Sequence, residues 1–195
     1  KQIPVLWINL NRHIKRRNRM NWALQSGGWE SHRLSAIDAT DNDQKLLALP
    51  NLFKAGTKLP GLYRCEEPES KRRTSRPELA CLASWKRLLF NSQKIDTPSG
   101  WLLLMEDDVG ASLARPTAWA HSLIDLIEFC PKQTLAVQLY PTNAKIRAQL
   151  AQEWEMSQGR CMAVSKEKIR SHGNAAILLN KKALEILIDP LQYFS

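Results

Sequence analysis

Three adjacent carboxylates, Glu106, Asp107 and Asp108, follow the apolar run Trp101 to Met105 in the stretch WLLLMEDDVG. Carboxylates at this spacing can hold a hard cation. If the chain stays extended, Glu106 and Asp108 fall on one side and Asp107 on the other. The pair on one side is then about 6–7 Å apart and can share a divalent ion directly or through water. Without an ion, two charges that close repel, and one carboxyl rises in pKa. The same triplet also suits a solvated loop or the cap of a following helix.

A Mg2+ or Mn2+ ion held by two or three carboxylates keeps open positions, which substrate phosphates commonly fill. That chemistry points to a nucleotide or sugar nucleotide. The chain carries the matching cations. Its net charge is +9 over 195 residues, and residues 1 to 35 hold seven Lys or Arg against one Glu. Lys71, Arg72, Arg73 and Arg76 form a second basic cluster. Such charge also suits nucleic acid or an anionic membrane. Nucleic acid is not expected, because only Trp22 and Tyr63 lie among the basic segments and no helix-turn-helix or RNA-binding signature is present.

The elements that must position these groups follow from the apolar pattern. Residues 3 to 10, IPVLWINL, read as a buried strand. Asn11 is placed to cap a helix over 12 to 26, with Gly27 and Gly28 as its stop. Residues 29 to 37 read as a second strand, and DNDQKLLAL allows one short helix in an otherwise irregular stretch from 38 to 76. A helix begins at Pro77, with Glu78 in its first turn. The strand WLLLME follows Gly100. Further expectations are a helix from Pro116 to Cys130, a strand over 134 to 140, a helix over 143 to 155, the strand NAAILLN and the closing helix KKALEILI. Strands alternate with helices, so the expected fold is α/β with a mainly parallel central sheet flanked by helices.

Composition sets further bounds. With 44% hydrophobic and 24% charged residues the chain is an ordinary globular domain. No apolar run approaches the roughly 20 residues that span a bilayer. The chain opens on Lys1 rather than Met, so trimming is expected and no localisation signal is read from its start. Cys65, Cys81, Cys130 and Cys161 form no CxxC pair, which argues against zinc and for free, buried thiols.

Five ordered stretches resemble the family 25 glycosyltransferases, which include the bacterial lipooligosaccharide enzymes. IPVLWINLNRHIKRRNRM resembles their opening strand and helix, HRLSAIDATD their Arg and Ala-x-Asp segment, and RPELACLASWKRL their Glu-x-x-Cys-x-x-Ser helix. WLLLMEDDV looks like their metal motif, and HGNAAILLNKKALEILI resembles their late strand and helix. The likeness covers about residues 3 to 188. It departs at Pro77, where the family often has Gly, and at Trp85, where it often has His.

The resemblance implies a GT-A-like single domain over 1–195. Its nucleotide-sugar part would cover about 1–110 and its acceptor part about 111–195. It implies inverting transfer of a sugar, galactose being a frequent one, from a UDP-sugar donor to a saccharide or glycolipid acceptor. The cofactor would be Mn2+ or Mg2+ at Glu106, Asp107 and Asp108, with a late His, His172, as a further ligand. Asn9 and Arg12 would line the nucleotide pocket, Arg16 would reach a phosphate, and Arg33, Ala36 and Asp38 would meet base and ribose. Glu78 and Ser84 would belong to the donor site. Each has a plainer reading: helix capping for Asn9 and Glu78, solvated charge for the arginines, a loop exit for Asp38, packing for Ser84, and core or groove wall for Trp85. No general base is identified. The expected setting is cytoplasmic, with peripheral contact to the inner face of the bacterial inner membrane. The alternative is a non-catalytic GT-A module that binds sugar nucleotide or glycan.

Overall fold

The computed structural model describes residues 3–40, 76–109, 122–140, 143–158 and 175–188. Its strands are β1 (Val5–Asn9), β2 (Ser31–Ser35), β3 (Trp101–Glu106), β4 (Ala136–Gln138) and β5 (Ala176–Asn180). Its helices are α1 (Ile14–Ser26), α2 (Arg76–Ser92), α3 (Leu123–Phe129), α4 (Ala144–Met156) and α5 (Lys181–Ile188). The strands form one sheet in the order β2-β1-β3-β5-β4.

Strands β1 and β3 lie at the centre because they are apolar on both faces; every residue of β1 and all of β3 except Glu106 are buried. Alternation sends Val5, Trp7, Trp101, Leu103 and Met105 to one face, where Met20, Ala23 and Leu24 of α1 and Leu123 of α3 cover them. Leu6, Ile8, Leu102 and Leu104 point the other way, against Trp85 and Leu88 of α2 and Ala183 and Leu184 of α5. The result is a sheet between two helical layers.

The sheet is mixed, which corrects the expectation of a mainly parallel one. β1 runs parallel to β2 and to β3, but β5 is antiparallel to both β3 and β4. A strand buried on both faces reads the same in either direction, so the apolar pattern of β5 carries no sign of its reversal.

Helix α1 starts later than expected. Its N-cap is His13, whose side chain makes no capping bond, while Asn11 is exposed and accepts from Arg33 Nη2 at 2.6 Å. Gly28, at φ +70, closes the helix with its N–H on the Gln25 carbonyl at 3.0 Å. Ser122 and Asp125 cap α3 reciprocally, and Asn143 caps α4. The expected start of the third helix at Pro116 and the short helix in DNDQKLLAL lie outside the described residues, as do Lys71, Arg72, Arg73, Cys65 and Cys161. Among the described residues no helix is long and apolar enough to cross a membrane. The described cysteines are free, but Cys81 is exposed and Cys130 half-buried, so the expectation of buried thiols does not hold for them.

Candidate functional site

From β1 the chain crosses through α1 to β2 on one side, and from β2 through α2 to β3 on the other. The strand order therefore reverses between β1 and β3. In open α/β sheets the crevice at the carboxyl ends of such strands is where ligands bind. Asn9 ends β1 there, opposite Ser35 at the end of β2, and Ile8 pairs with Glu106 at the end of β3.

Asn9 is 1% exposed and joins the three strand ends. Its Nδ2 donates to Asp107 Oδ2 and, at 3.4 Å, to the His13 carbonyl. Its Oδ1 accepts from Arg33 Nε at 3.2 Å and Nη2 at 3.1 Å, and its carbonyl accepts the Ala36 N–H at 2.9 Å. A primary amide both donates and accepts, so one side chain serves a carboxylate and a guanidinium together. Burial and the nearby Arg17 pull Arg33 down from its ordinary pKa, and Asp107 pulls it back up.

Glu106 and Asp107 turn to opposite sides, but β3 ends at Glu106, and Asp107 and Asp108 lie in the turn that follows, so the expected extended run does not continue. Glu106 faces α2, where its Oε1 accepts the Trp85 indole N–H at 2.5 Å and lies 4.0 Å from the Cys81 thiol. Burial raises the Glu106 pKa, the charges of Asp108 and Asp107 add to the rise, and the Trp85 N–H and Arg16 oppose it. Asp107 turns toward α1, where it meets Asn9 and pairs with Arg16 Nη1 at 3.2 Å. Asp108 is exposed and lies with Asp107 and Val109 along a cavity beside α1, while its charge still reaches Glu106 and Cys81.

As donors for Mn2+ or Mg2+, these residues fit in part. Carboxylate oxygens suit the ion; the Glu106 pKa is raised chiefly by burial, with a smaller push from the Asp108 and Asp107 charges that a cation would relieve. Asp107, however, is engaged by Asn9 and Arg16 on the opposite side. Among the described residues no group of three or more His, Cys, Asp and Glu side chains is disposed to hold a metal ion. His172 lies outside the described residues.

Arg16, Arg19, Met20 and Ala23 of α1 face Asp107, Asp108 and Val109 across a cavity of about 160 Å³. Its volume suits a phosphate-sized group; pockets for a whole drug-sized ligand run to roughly 300–1,000 Å³. Arg16 is held in place from two sides, by Asp107 and by a contact between its Nη2 and His13 Nδ1.

The remaining residues flank this centre. Arg12 pairs with Asp38 Oδ2 and reaches Thr40 Oγ1 at 3.3 Å. Asp38 Oδ1 accepts the Thr40 N–H at 2.9 Å and its hydroxyl at 2.8 Å, and these bonds hold the Asp38 carboxyl below its ordinary pKa. Ser84 is 2% exposed; its hydroxyl donates to the Ala80 carbonyl at 2.7 Å and accepts the Ile37 N–H at 2.8 Å. It ties α2 to the chain leaving β2 and so supports Ala36 and Asp38. Glu78 is exposed in the first turn of α2, one turn before Cys81.

The structure thus brings Asn9, Arg16, Arg33 and Asp107 into one network, pairs Arg12 with Asp38, and sets Glu106 and Asp108 beside them. Sequence reasoning missed Asn11 as an acceptor for Arg33, His13 as a partner of Arg16, Thr40 as the anchor of Asp38, and Cys81 beside Glu106. The repeated Asn in INLN was the one available signal for Asn11.

The family model described as Glycosyltransferase family 25 (LPS biosynthesis protein) matches residues 2–186. No curated protein matches the chain.

Proposed function

The chain belongs to glycosyltransferase family 25 and is a glycosyltransferase, and from that premise we propose inverting transfer of a sugar from a UDP-linked donor to a lipooligosaccharide or lipopolysaccharide saccharide. Galactose is the proposed sugar. The supporting observation is the cationic wall of Arg16 and Arg19 facing the Asp107–Asp108 turn at the point where strand order reverses. In this reading Arg16 and Arg19 bind the donor diphosphate through charge-assisted hydrogen bonds. Arg12, Ala36 and Asp38 meet base and ribose at the adjoining strand ends. Asn9 and Arg33 orient Asp107, which in turn holds Arg16. Ser84 fixes the turn that carries Ala36 and Asp38, and Glu78 stands at the rim.

Glu106 and Asp108 are the proposed cation ligands, with His172 as a third. Mn2+ or Mg2+ held there would supply positive charge against the departing diphosphate. Transfer is by direct displacement at the anomeric carbon, with a general base, not assigned to a residue, taking the acceptor proton. The domain reading stands with it: a GT-A-like unit over 1–195, donor side about 1–110, acceptor side about 111–195, acting on the cytoplasmic side of the bacterial inner membrane.

The test is a thermal-shift panel of nucleotide sugars with and without Mn2+, followed by UDP-release assays with a lipopolysaccharide-derived acceptor. Stabilisation by a UDP-sugar that deepens with Mn2+ is expected. Absence of stabilisation by any UDP-sugar would sink the donor assignment.

A further inference from the structure

Helix α1 has two working sides and a third that faces outward. Met20, Ala23 and Leu24 are buried against the sheet. Arg16 and Arg19 line the cavity. On the outer side lie Ile14, Lys15, Asn18, Trp22, Gln25 and Ser26, which recur at intervals of three and four and are all exposed. Ile14 is 53% and Trp22 55% exposed, high values for a large aliphatic and an indole. The helix sequence, IKRRNRMNWALQS, holds four cations and no acid.

From this arrangement we infer that the outer face of α1 docks the protein on an anionic lipid bilayer, with Trp22 and Ile14 entering the interface and Lys15 meeting the headgroups. The inference rests on the reading above only in taking a glycolipid as acceptor; the charge and apolar arrangement stand without it. Trp is favoured at the headgroup level because its ring is apolar and its N–H polar. Lys can lay its stem along the apolar surface while its ammonium stays among the phosphates. A helix face with apolar anchors and flanking cations, and no acid to repel anionic lipid, has the makeup of an interfacial surface. Duplex nucleic acid fits less well, because the outermost positions of this face are Trp22 and Ile14 rather than cations.

The arrangement also has a geometric consequence. Thirteen residues of helix are about 20 Å long. Arg19, on the cavity lining, is three positions before Trp22 on the helix, so docking by this face brings the cavity rim beside the membrane surface, where a lipid-carried acceptor presents its sugars.

The test is co-sedimentation of the full chain with phosphatidylglycerol-containing vesicles and with phosphatidylcholine vesicles at low salt. Binding to the anionic vesicles is expected to be at least about tenfold tighter and to weaken with added salt. Lys15→Gln should lower that affinity about fivefold. Trp22→Ser should lower it roughly five- to tenfold. Both positions are exposed, so both variants should keep the wild-type circular dichroism melt and the UDP-sugar thermal shift. Equal binding to the two vesicle types, or unchanged binding in both folded variants, would overturn the inference. So would tighter binding to random duplex DNA that the same substitutions abolish. Absence of vesicle binding by the wild-type chain, with its UDP-sugar shift intact, rejects this surface alone. Vesicle binding without any UDP-sugar shift rejects the donor reading alone.

Discussion

The Trp85 indole N–H reaches from α2 to Glu106 Oε1 at 2.5 Å, at the end of β3. Trp85 is only 8% exposed and packs with Ile8, Leu88 and Leu104, so its ring is held and its N–H direction is set by the core. The hydrogen bond thereby fixes the orientation of a carboxylate that burial and two like charges make reluctant to ionise.

This relationship predicts a pH dependence. The folded-state pKa of Glu106 lies above its ordinary value of 4.5. The folded protein therefore holds that proton more tightly than the unfolded chain. Stability from this group is present below the unfolded value and is lost as pH rises through the raised folded value. Glu106→Gln keeps an acceptor for Trp85 and removes the charge. Urea midpoints from pH 4 to neutrality, on the order of one per half unit, should fall less for the variant than for wild type. Parallel pH curves would mean that Glu106 titrates without strain.

Asn9 should be among the least replaceable polar residues. Asn9→Ala leaves Asp107 and Arg33 without the amide that joins them. Asp107 then keeps Arg16 and Arg33 keeps Asn11, and the lost bonds should destabilise the fold by about 1–3 kcal/mol. Asn9→Asp should be as harmful, because it sets a carboxylate against Asp107. Equilibrium denaturation measures both; a loss below about 1 kcal/mol for the two variants would contradict the role described.

Arg16 separates binding from stability. It is 43% exposed at the side chain, so its pair with Asp107 contributes little to folding, under about 1 kcal/mol. Its proposed diphosphate contact is worth more. Arg16→Gln should therefore melt near wild type yet bind UDP and UDP-sugars roughly tenfold or more weakly by calorimetry, since charge-assisted bonds contribute about 1.5–3 kcal/mol. Unchanged UDP affinity would move the diphosphate elsewhere.

Asp108 is exposed and Asp107 is already engaged, so the two acids should respond differently to substitution. Asp108→Ala should leave the melt unchanged and abolish Mn2+-stimulated UDP release. Asp107→Ala should also destabilise the fold by about 1–3 kcal/mol, because Asn9 Nδ2 loses its acceptor. Excess chelator should reduce wild-type activity, and added Mn2+ should restore it. Full turnover by Asp108→Ala, or in chelator, would remove the cation from this turn.

Much of this architecture was legible in the amino-acid sequence. The runs VLWIN, WLLLME and AILLN are strands because each is short, apolar and bounded by turn residues. The helix periodicities and the stop at Gly27 and Gly28 were readable for the same reason. So was the split of Glu106 from Asp107, since side-chain alternation is a property of one strand. The five ordered motifs carried the family, which the match over residues 2–186 bears out.

Other features depended on neighbours distant in sequence. The reversal of β5 between β3 and β4 leaves no trace in its own pattern, because either direction buries Ala176, Leu178 and Leu179. Asn11 looked like a helix cap but is drawn to Arg33, 22 positions away, leaving His13 to start α1. Trp85 read as core, and only the placement of α2 against β3 turned its N–H to Glu106. Asp107 was expected only to face away from Glu106; its bond to Asn9, 98 positions earlier, came from the packing of β1 against β3. Periodicity along the chain is local and therefore set which residues form strands and helices and which way their side chains face. Pairing across space depends on how those elements pack, and so the tertiary structure alone decided which of these polar groups face each other and which face the cavity.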